Sequence, residues 1–489
     1  MTETGDVGAE VARQRAARGI ALLSARTVVV QLATFAGTVV LARLLSPEEF
    51  GAFAVLQFAL GFLQFFGDAG VGGALIQARE RPSERALASV FTLQLALAVG
   101  VVAAAWLGAP YVLDIWPALP PVAPLLLRAM ALAFLITSIR VVPSILLERE
   151  LRFAAIAASE VVQVLAFYAA ACACAAAGLG LWTWPVAVLT QGMAGLIVVY
   201  AARPWRPRLA LDGALLRPLV RFGIPFQVKN FIGFANGAVT PLYAGAVLGP
   251  AAVGLINWGQ QIAYLPLKLV EVVARISFPL FSRIQYQRDA LARVLERTVQ
   301  FCALGAFFSA AVLLTAGRTV TVVVFSEKWV DGLVSLYAFS AVLLIGFFSP
   351  VVAAVMDALG KPAVIARLAA FWTLLNWMVV PVTTWRFGMN GFVLGYCVHV
   401  VVGNLLVLYV ARKEVPEARL LRQLVGPALG ALAAAVVSWT LVRNWGTDPV
   451  RLAVSVGAAL TAQLAIFAVV DRQAIAEARQ LLAGGARAA

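Results

Sequence analysis

Apolar runs of about 20 residues follow one another along the whole chain, separated by short polar stretches. Each run is long enough to carry a helix through roughly 30 Å of hydrocarbon at about 1.5 Å per residue. Short strands of alternating polarity, the mark of a membrane barrel, are not the pattern seen. Spans are predicted at 20–43, 50–77, 86–108, 124–147, 154–177, 182–202, 222–248, 252–282, 298–325, 333–359, 363–385, 391–411, 424–442 and 451–470. The expected fold class is all-α: a polytopic membrane protein with about 14 transmembrane helices.

The first two spans form a hairpin, from Arg26 to Leu75, folded at Leu44–Gly51, and this hairpin recurs about 203 residues later. That shift sets Leu45 on Leu248, Pro47 on Pro250, Gly51 on Gly254 and Gln57 on Gln260. It also lays Arg26 over Lys229 and Asp68 over Glu271, with the signs kept. The chain therefore reads as an internal duplication. Arg26 and Asp68 lie equally far from Pro47, as Lys229 and Glu271 do from Pro250, so each hairpin is expected to bring a cation and a carboxylate to similar depth. Six spans separate the copies, an even number, so the lobes point the same way and are expected to be related by an axis along the membrane normal.

The expected organisation is an N-terminal tail (1–19), an N-lobe of six helices (20–202), a basic linker (203–221) and a C-lobe of six helices (222–411). A loop (412–423), two further spans (424–470) and a tail (471–489) complete it. The linker carries Pro204, Pro207 and Pro218 where the duplicated hairpin restarts. No loop on the far side exceeds about 15 residues, so no folded domain is expected there.

Composition sharpens this picture: 62% of residues are hydrophobic and 13% charged, and mean hydropathy is +0.90. Soluble domains carry about 25% charged residues. The net charge of +14 is scattered over short loops, which disfavours nucleic acid as a partner. Alternate loops hold 26 basic residues and the intervening ones 5, which places both termini in the cytoplasm. Arg13, Arg15 and Arg18 precede a full-length span without a small-residue cleavage site, so no removable signal peptide is expected. Cys172, Cys174, Cys302 and Cys397 sit in apolar runs without metal or disulfide spacing, and no metal or cofactor is expected.

Polar side chains inside such spans usually face a bundle interior or a watery cavity. At about 100° per residue, Gln57, Gln64 and Asp68 share a stripe of the second helix. Gln260, Tyr264, Lys268, Glu271 and Arg275 share a face of the eighth. Lys229, Asn236 and Thr240 align on the seventh, and Arg26, Thr34 and Gly37 more weakly on the first. Four helices, two from each lobe, thus offer polar faces to one cavity. For Arg26, Asp68, Lys229 and Glu271 the plainer alternative is snorkelling to the cytoplasmic interface, since each lies roughly 30 Å from its turn. Pro225, Pro241, Pro266 and Pro279 interrupt the seventh and eighth helices and are candidate hinges. Glu160 and Asp357 are further acids in apolar runs without an obvious partner, and His399 reads as a packed, hydrogen-bonded side chain.

Five stretches resemble a known family: Leu41–Gln57 (LARLLSPEEFGAFAVLQ), Gly67–Gln77, Ile145–Phe153, Leu248–Pro266 and Phe278–Gln285. In them the chain, over roughly residues 15–410, is similar to the polysaccharide-exporter, or Wzx-type flippase, branch of the multidrug/oligosaccharidyl-lipid/polysaccharide exporter superfamily. The resemblance implies two pseudo-symmetric six-helix lobes around a central cavity and alternating access. It implies a lipid-linked sugar carried to the outer leaflet of the cell membrane. Asp68 matches the acid of the family's second-helix motif and Arg149 the arginine of the motif after the fourth. Where relatives carry an Asp and a basic residue late in the seventh helix, this chain reads Val239-Thr240-Pro241-Leu242, which puts a charge relay there in doubt.

The function expected is a flippase for an undecaprenyl-diphosphate-linked oligosaccharide destined for O-antigen, capsule or exopolysaccharide. It is not expected to be an enzyme. Arg26, Lys229, Lys268 and Arg275 are the candidate diphosphate partners, held by Asp68 and Glu271. Gln57, Gln260, Asn236 and Tyr264 are the candidate ligands of sugar hydroxyls, and Gln64 lies on the same lining. Expected partners are the lipid-linked oligosaccharide, membrane lipids and a polysaccharide polymerase or export machinery, with the chain itself a monomer. The alternatives are a drug/cation antiporter of the same superfamily, which calls for unpaired carboxylates and aromatic walls, and a membrane glycan polymerase or ligase.

Overall fold

The computed structural model describes residues 26–67, 70–77, 82–445 and 448–471, and it describes side chains for all of these but 222–230 and 232. Within them every regular element is a helix. Twelve helices are long and apolar enough to cross a membrane, so this is an all-helical, multi-pass membrane protein. The difference from fourteen predicted spans has two sources: the predicted spans 363–385 and 391–411 form one long broken helix, and Leu265–Ile284, with Lys268, Glu271 and Arg275, is too charged to be among the twelve. The 53-residue helix Pro362–Glu414 breaks at Gly388 (φ 58°) into two arms, since one straight helix of that length would reach about 80 Å. The span Gly233–Ala263 likewise crosses a break at Gly249 (φ 82°).

The chain forms two compact units, Met1–Phe234 with Gly245–Val253, and Ala235–Ala244 with Gly254–Ala489. The first holds α1 (Arg26–Leu44), α2 (Pro47–Gly67), α3 (Val71–Gln77), α4 (Glu84–Gly108), α5 (Ala123–Ala131), α6 (Ala133–Arg149), α7 (Phe153–Ala176), α8 (Thr183–Ala202) and most of α9 (Gly213–Gly237). The turn between α1 and α2 is closed by a reciprocal cap: Glu49 N donates to Ser46 Oγ (3.2 Å), and Ser46 N donates to Glu49 Oε2 (2.7 Å). Pro47 follows at the first helical position, where its missing N–H is no loss. Behind the turn, Phe53 stacks on Trp184 (4.2 Å between centroids), whose indole N–H donates to the Glu49 carbonyl.

A second apolar cluster joins α3, α4 and α6 to the segment after α8. Trp205 is buried there against Phe91, and Asp212 pairs with Arg85 at 3.0 Å. Gly37 packs against the Tyr168 ring, where a Cβ would overlap it.

The second unit holds the rest of α10 (Gly245–Ala263), then α11 (Leu265–Ile284), α12 (Arg288–Val320), α13 (Leu333–Gly346), α14 (Phe348–Ala358), α15 (Pro362–Glu414), α16 (Val425–Trp445) and α17 (Pro449–Val470). Its core runs from Val270 and Phe281 through Leu295, Phe347 and Met356 to Ala434 and Ala459. The arms of α15 pack tightly because Gly391 and Gly395 face Thr383 and Gly403 faces Trp372, where any Cβ would collide.

Pro241 falls in a π-helical turn, Val239–Ala244. It has no N–H to offer the preceding turn, and Asn376 Nδ2 donates to the Asn236 carbonyl instead (3.1 Å). The Trp377 indole N–H donates to the Ala235 carbonyl (2.8 Å) and the Tyr243 hydroxyl to the Pro381 carbonyl (3.1 Å), tying residues 235–244 to α15. Pro266 follows the break at Tyr264 that separates α10 from α11, so two of the four candidate hinges coincide with interruptions of helical geometry.

Candidate functional site

The first unit forms an open cavity of about 1110 Å³. Its walls follow from helical periodicity. On α6, Thr137, Arg140, Ser144 and Glu148 recur at intervals of three or four and therefore share one face; on α7, Gln163 lies four residues from Ser159 and three from Glu160, which puts it on the same side as both. Gln64 of α2, Gln94 of α4 and Arg221 of α9 complete the polar lining.

The α6 face is set by Pro143. Its missing N–H leaves the Ile139 carbonyl without its usual partner one turn back, and the Tyr200 hydroxyl of α8 donates to that carbonyl at 3.1 Å. Arg140 and Ser144 flank this point. Arg140 Nη1 donates to Gln163 Oε1 at 2.7 Å, while Gln163 Nε2 donates to the carbonyl (3.1 Å) and hydroxyl (3.0 Å) of Ser159. The amide is thereby fixed with its oxygen toward the guanidinium. Gly195 on α8 makes room for the pair: a Cβ there would lie 2.6 Å from both Arg140 Nη1 and Gln163 Cδ. Beside them Glu160 forms an ion pair with Arg26 of α1, the side chains being 43% and 27% exposed.

The expected site residues fall as follows. Gln64 lines the cavity, and Arg26 reaches it through Glu160, an acid for which sequence offered no partner. Asp68, the expected partner of Arg26, lies outside the described residues; Arg26 Nε is buried without a partner among the described ones. Gln57 is exposed on α2 and does not line the cavity.

In the second unit, Gln260 Nε2 donates to the Tyr396 hydroxyl at 2.7 Å, and Tyr264 and Tyr396 both pack edge-on to Phe339. His399 is buried and bonds the Tyr396 carbonyl at 3.0 Å, a packed side chain as expected. Glu271 pairs with Lys268 one turn away on α11, at 3.6 Å, and Arg275 is exposed on the same helix. Lys229, the expected partner of Glu271, has its side chain outside the described residues. Asn236 meets Asn376.

Arg140, Glu148 and Gln163 were not among the residues anticipated. Their polar spacing on the fourth and fifth spans is visible in sequence, but these residues do not repeat between the two halves, and the packing of α6 against α7 and α8 is what marks them as a site.

A sequence profile of the polysaccharide biosynthesis protein family matches residues 40–334. Among curated proteins, the chain is 23% identical over 379 residues to the lipopolysaccharide biosynthesis protein WzxC of Escherichia coli (strain K12), covering 77% of this chain and 76% of that one. It is 26% identical over 273 residues to the teichuronic acid biosynthesis protein TuaB of Bacillus subtilis (strain 168), covering 55% of this chain and 56% of TuaB. Among solved structures, the lipid II flippase MurJ in an inward closed conformation matches with a TM-score of 0.74 at 12% identity, covering 92% of this chain and all (100%) of that one. An inward-facing multidrug resistance MATE family transporter of the MOP superfamily matches at 0.59 and 16% identity, covering 81% and 98%. At such identities these two structures establish the shared fold. The profile match spans more than half of the chain, and with it the family expected from the hairpin motifs is the one found: the chain belongs to the polysaccharide biosynthesis protein family.

Proposed function

We propose that this protein carries a lipid-linked oligosaccharide across the cytoplasmic membrane, from the inner to the outer leaflet, with both termini on the cytoplasmic side. The observation that carries this reading is the large cavity, set with charged and amide side chains, inside an otherwise apolar, membrane-spanning unit. Charged and amide side chains are costly at membrane depth and are kept there where a polar solute passes. Pockets that hold drug-sized ligands measure about 300–1,000 Å³; this one exceeds that range and suits a sugar head group, while the lipid tail stays in the bilayer. Family membership and the likeness to WzxC and TuaB support the same reading.

The diphosphate is assigned to the cations Arg26, Lys229, Lys268 and Arg275, with Asp68 and Glu271 holding them and Gln57, Gln64, Asn236, Gln260 and Tyr264 offering hydrogen bonds. Exposed Lys268 and Arg275 against the single Glu271 leave the face of α11 cationic, which favours an anionic head group over a cationic drug. Exchanging Lys268→Ala and Lys229→Ala is expected to abolish glycan export at normal protein levels in the membrane. Normal export by both variants, together with resistance to cationic dyes conferred by the intact protein, would establish the antiporter reading in its place.

A further inference from the structure

The cavity of the first unit differs in charge from the face of α11. Among the described residues its lining sets Arg140 and Arg221 against Glu148 and Glu160, and Glu160 is already engaged by Arg26. A lining in which the two signs are this nearly matched holds little net attraction for a bare anion. It does hold what hydroxyl groups need: carboxylate and amide oxygens that accept, guanidinium and amide N–H groups that donate, and the hydroxyls of Thr137 and Ser144 that do both. A sugar presents adjacent hydroxyls, each of which donates and accepts, so it can satisfy an arginine and a glutamate at once.

We propose that this cavity is a glycan-reading subsite, meeting one of the cations assigned to the diphosphate, Arg26, at its pair with Glu160, that takes an uncharged, hydroxyl-rich oligosaccharide larger than one sugar. This rests on the transport reading above and adds to it the part of the cargo that the first unit recognises.

The recognition group is built in advance. Ser159 fixes the Gln163 amide, Gln163 fixes one arm of the Arg140 guanidinium, and Gly195 supplies the space in which both sit. Side chains held by their own second bonds lose little freedom when a ligand arrives, which separates a formed site from an incidental gap. Arg140 lines the cavity with one N–H engaged by Gln163, and a guanidinium has further donors to offer a ligand. Glu148 lies next in sequence to Arg149, at the end of α6, so the polar lining reaches the end of the unit that carries the 149–153 turn and the segment after α8. In the proposed orientation that end is cytoplasmic, the side from which cargo loads.

The test compares two cargoes in vesicles containing the purified full-length protein: undecaprenyl diphosphate carrying a single sugar, and the same lipid carrying a neutral oligosaccharide of four or five sugars. Two variants act by different means. Ser144→Phe narrows the cavity with a bulky apolar ring, and Arg140→Gln leaves it open while removing the donor fork. Each is expected to lower the ratio of oligosaccharide to single-sugar movement by about tenfold, the loss of one or two hydrogen bonds to a charged group. An unchanged ratio in both variants overturns the subsite, whether both cargoes slow together or neither slows, because a merely structural role for Arg140 affects both alike. A wild-type protein that moves the single-sugar lipid but not the oligosaccharide also overturns it. A wild-type protein that moves neither cargo overturns the transport reading and the subsite together.

Discussion

Arg26 and Glu160 meet between α1 and α7, two largely apolar helices, and both side chains are partly buried there. Removing one member of such a pair leaves the other uncompensated, which costs more than removing both. Arg26→Gln and Glu160→Gln are each expected to impair transport more than the double replacement does. For this partly exposed pair the double-mutant cycle should return a coupling of about 1 kcal/mol. Transport rates of the four proteins in vesicles check it, and simple additivity would show that the pair does not act as a unit. Glu160 also shows what sequence alone leaves hidden. Its partner is 134 positions away, and a rule that matches charges by their distance from a shared turn points to Asp68 instead. Gln64 was legible because its spacing on one helix suffices. Arg140 and Gln163 needed the packing of α6 against α7 and α8, because what marks them as a site is the Ser159 bond and the Gly195 gap.

At the scale of elements, the two hairpins solve the same turn with different residues. The first closes on the Ser46–Glu49 cap. In the second the matching position is Gly249, which takes a φ of 82° that an L side chain adopts only with strain. Ser46→Ala is expected to cost about 1 kcal/mol as a lost cap. Gly249→Ala is expected to cost about 1–2 kcal/mol as backbone strain. Both are read as lowered melting temperature of the purified protein. A Gly249→Ala protein as stable as the wild type would contradict the strained turn. The equivalence of the hairpins was visible in the matched Leu45/Leu248 and Pro47/Pro250, whereas the exchange of a side-chain cap for a backbone conformation was not, since a glycine carries no sign of its own φ. The same blindness applies at Gly388, although there the length of the apolar run forced two spans and the break between them was anticipated within a few residues.

For the whole molecule, hydropathy was enough to predict an all-helical membrane protein, because backbone groups in lipid must bond within their own segment and helices do so. The proposed orientation, with both termini on the cytoplasmic side, rests on the uneven distribution of basic residues among the loops. Cysteines replacing Glu48 and Ala251, in a background without the four native cysteines, should react with an impermeant reagent at the outer surface of intact cells. Reaction instead at positions 81 and 288 would reverse the topology and with it the direction of transport.

The central claim, that the polar interior serves the passage of a sugar head group, is tested most directly by the transbilayer movement of a labelled undecaprenyl-diphosphate oligosaccharide in vesicles containing the purified protein. The account predicts that the label leaves the loaded leaflet faster than in protein-free vesicles and that Lys268→Ala slows it. Movement no faster than in protein-free vesicles, under each of a proton gradient, a sodium gradient and an imposed potential, would contradict it.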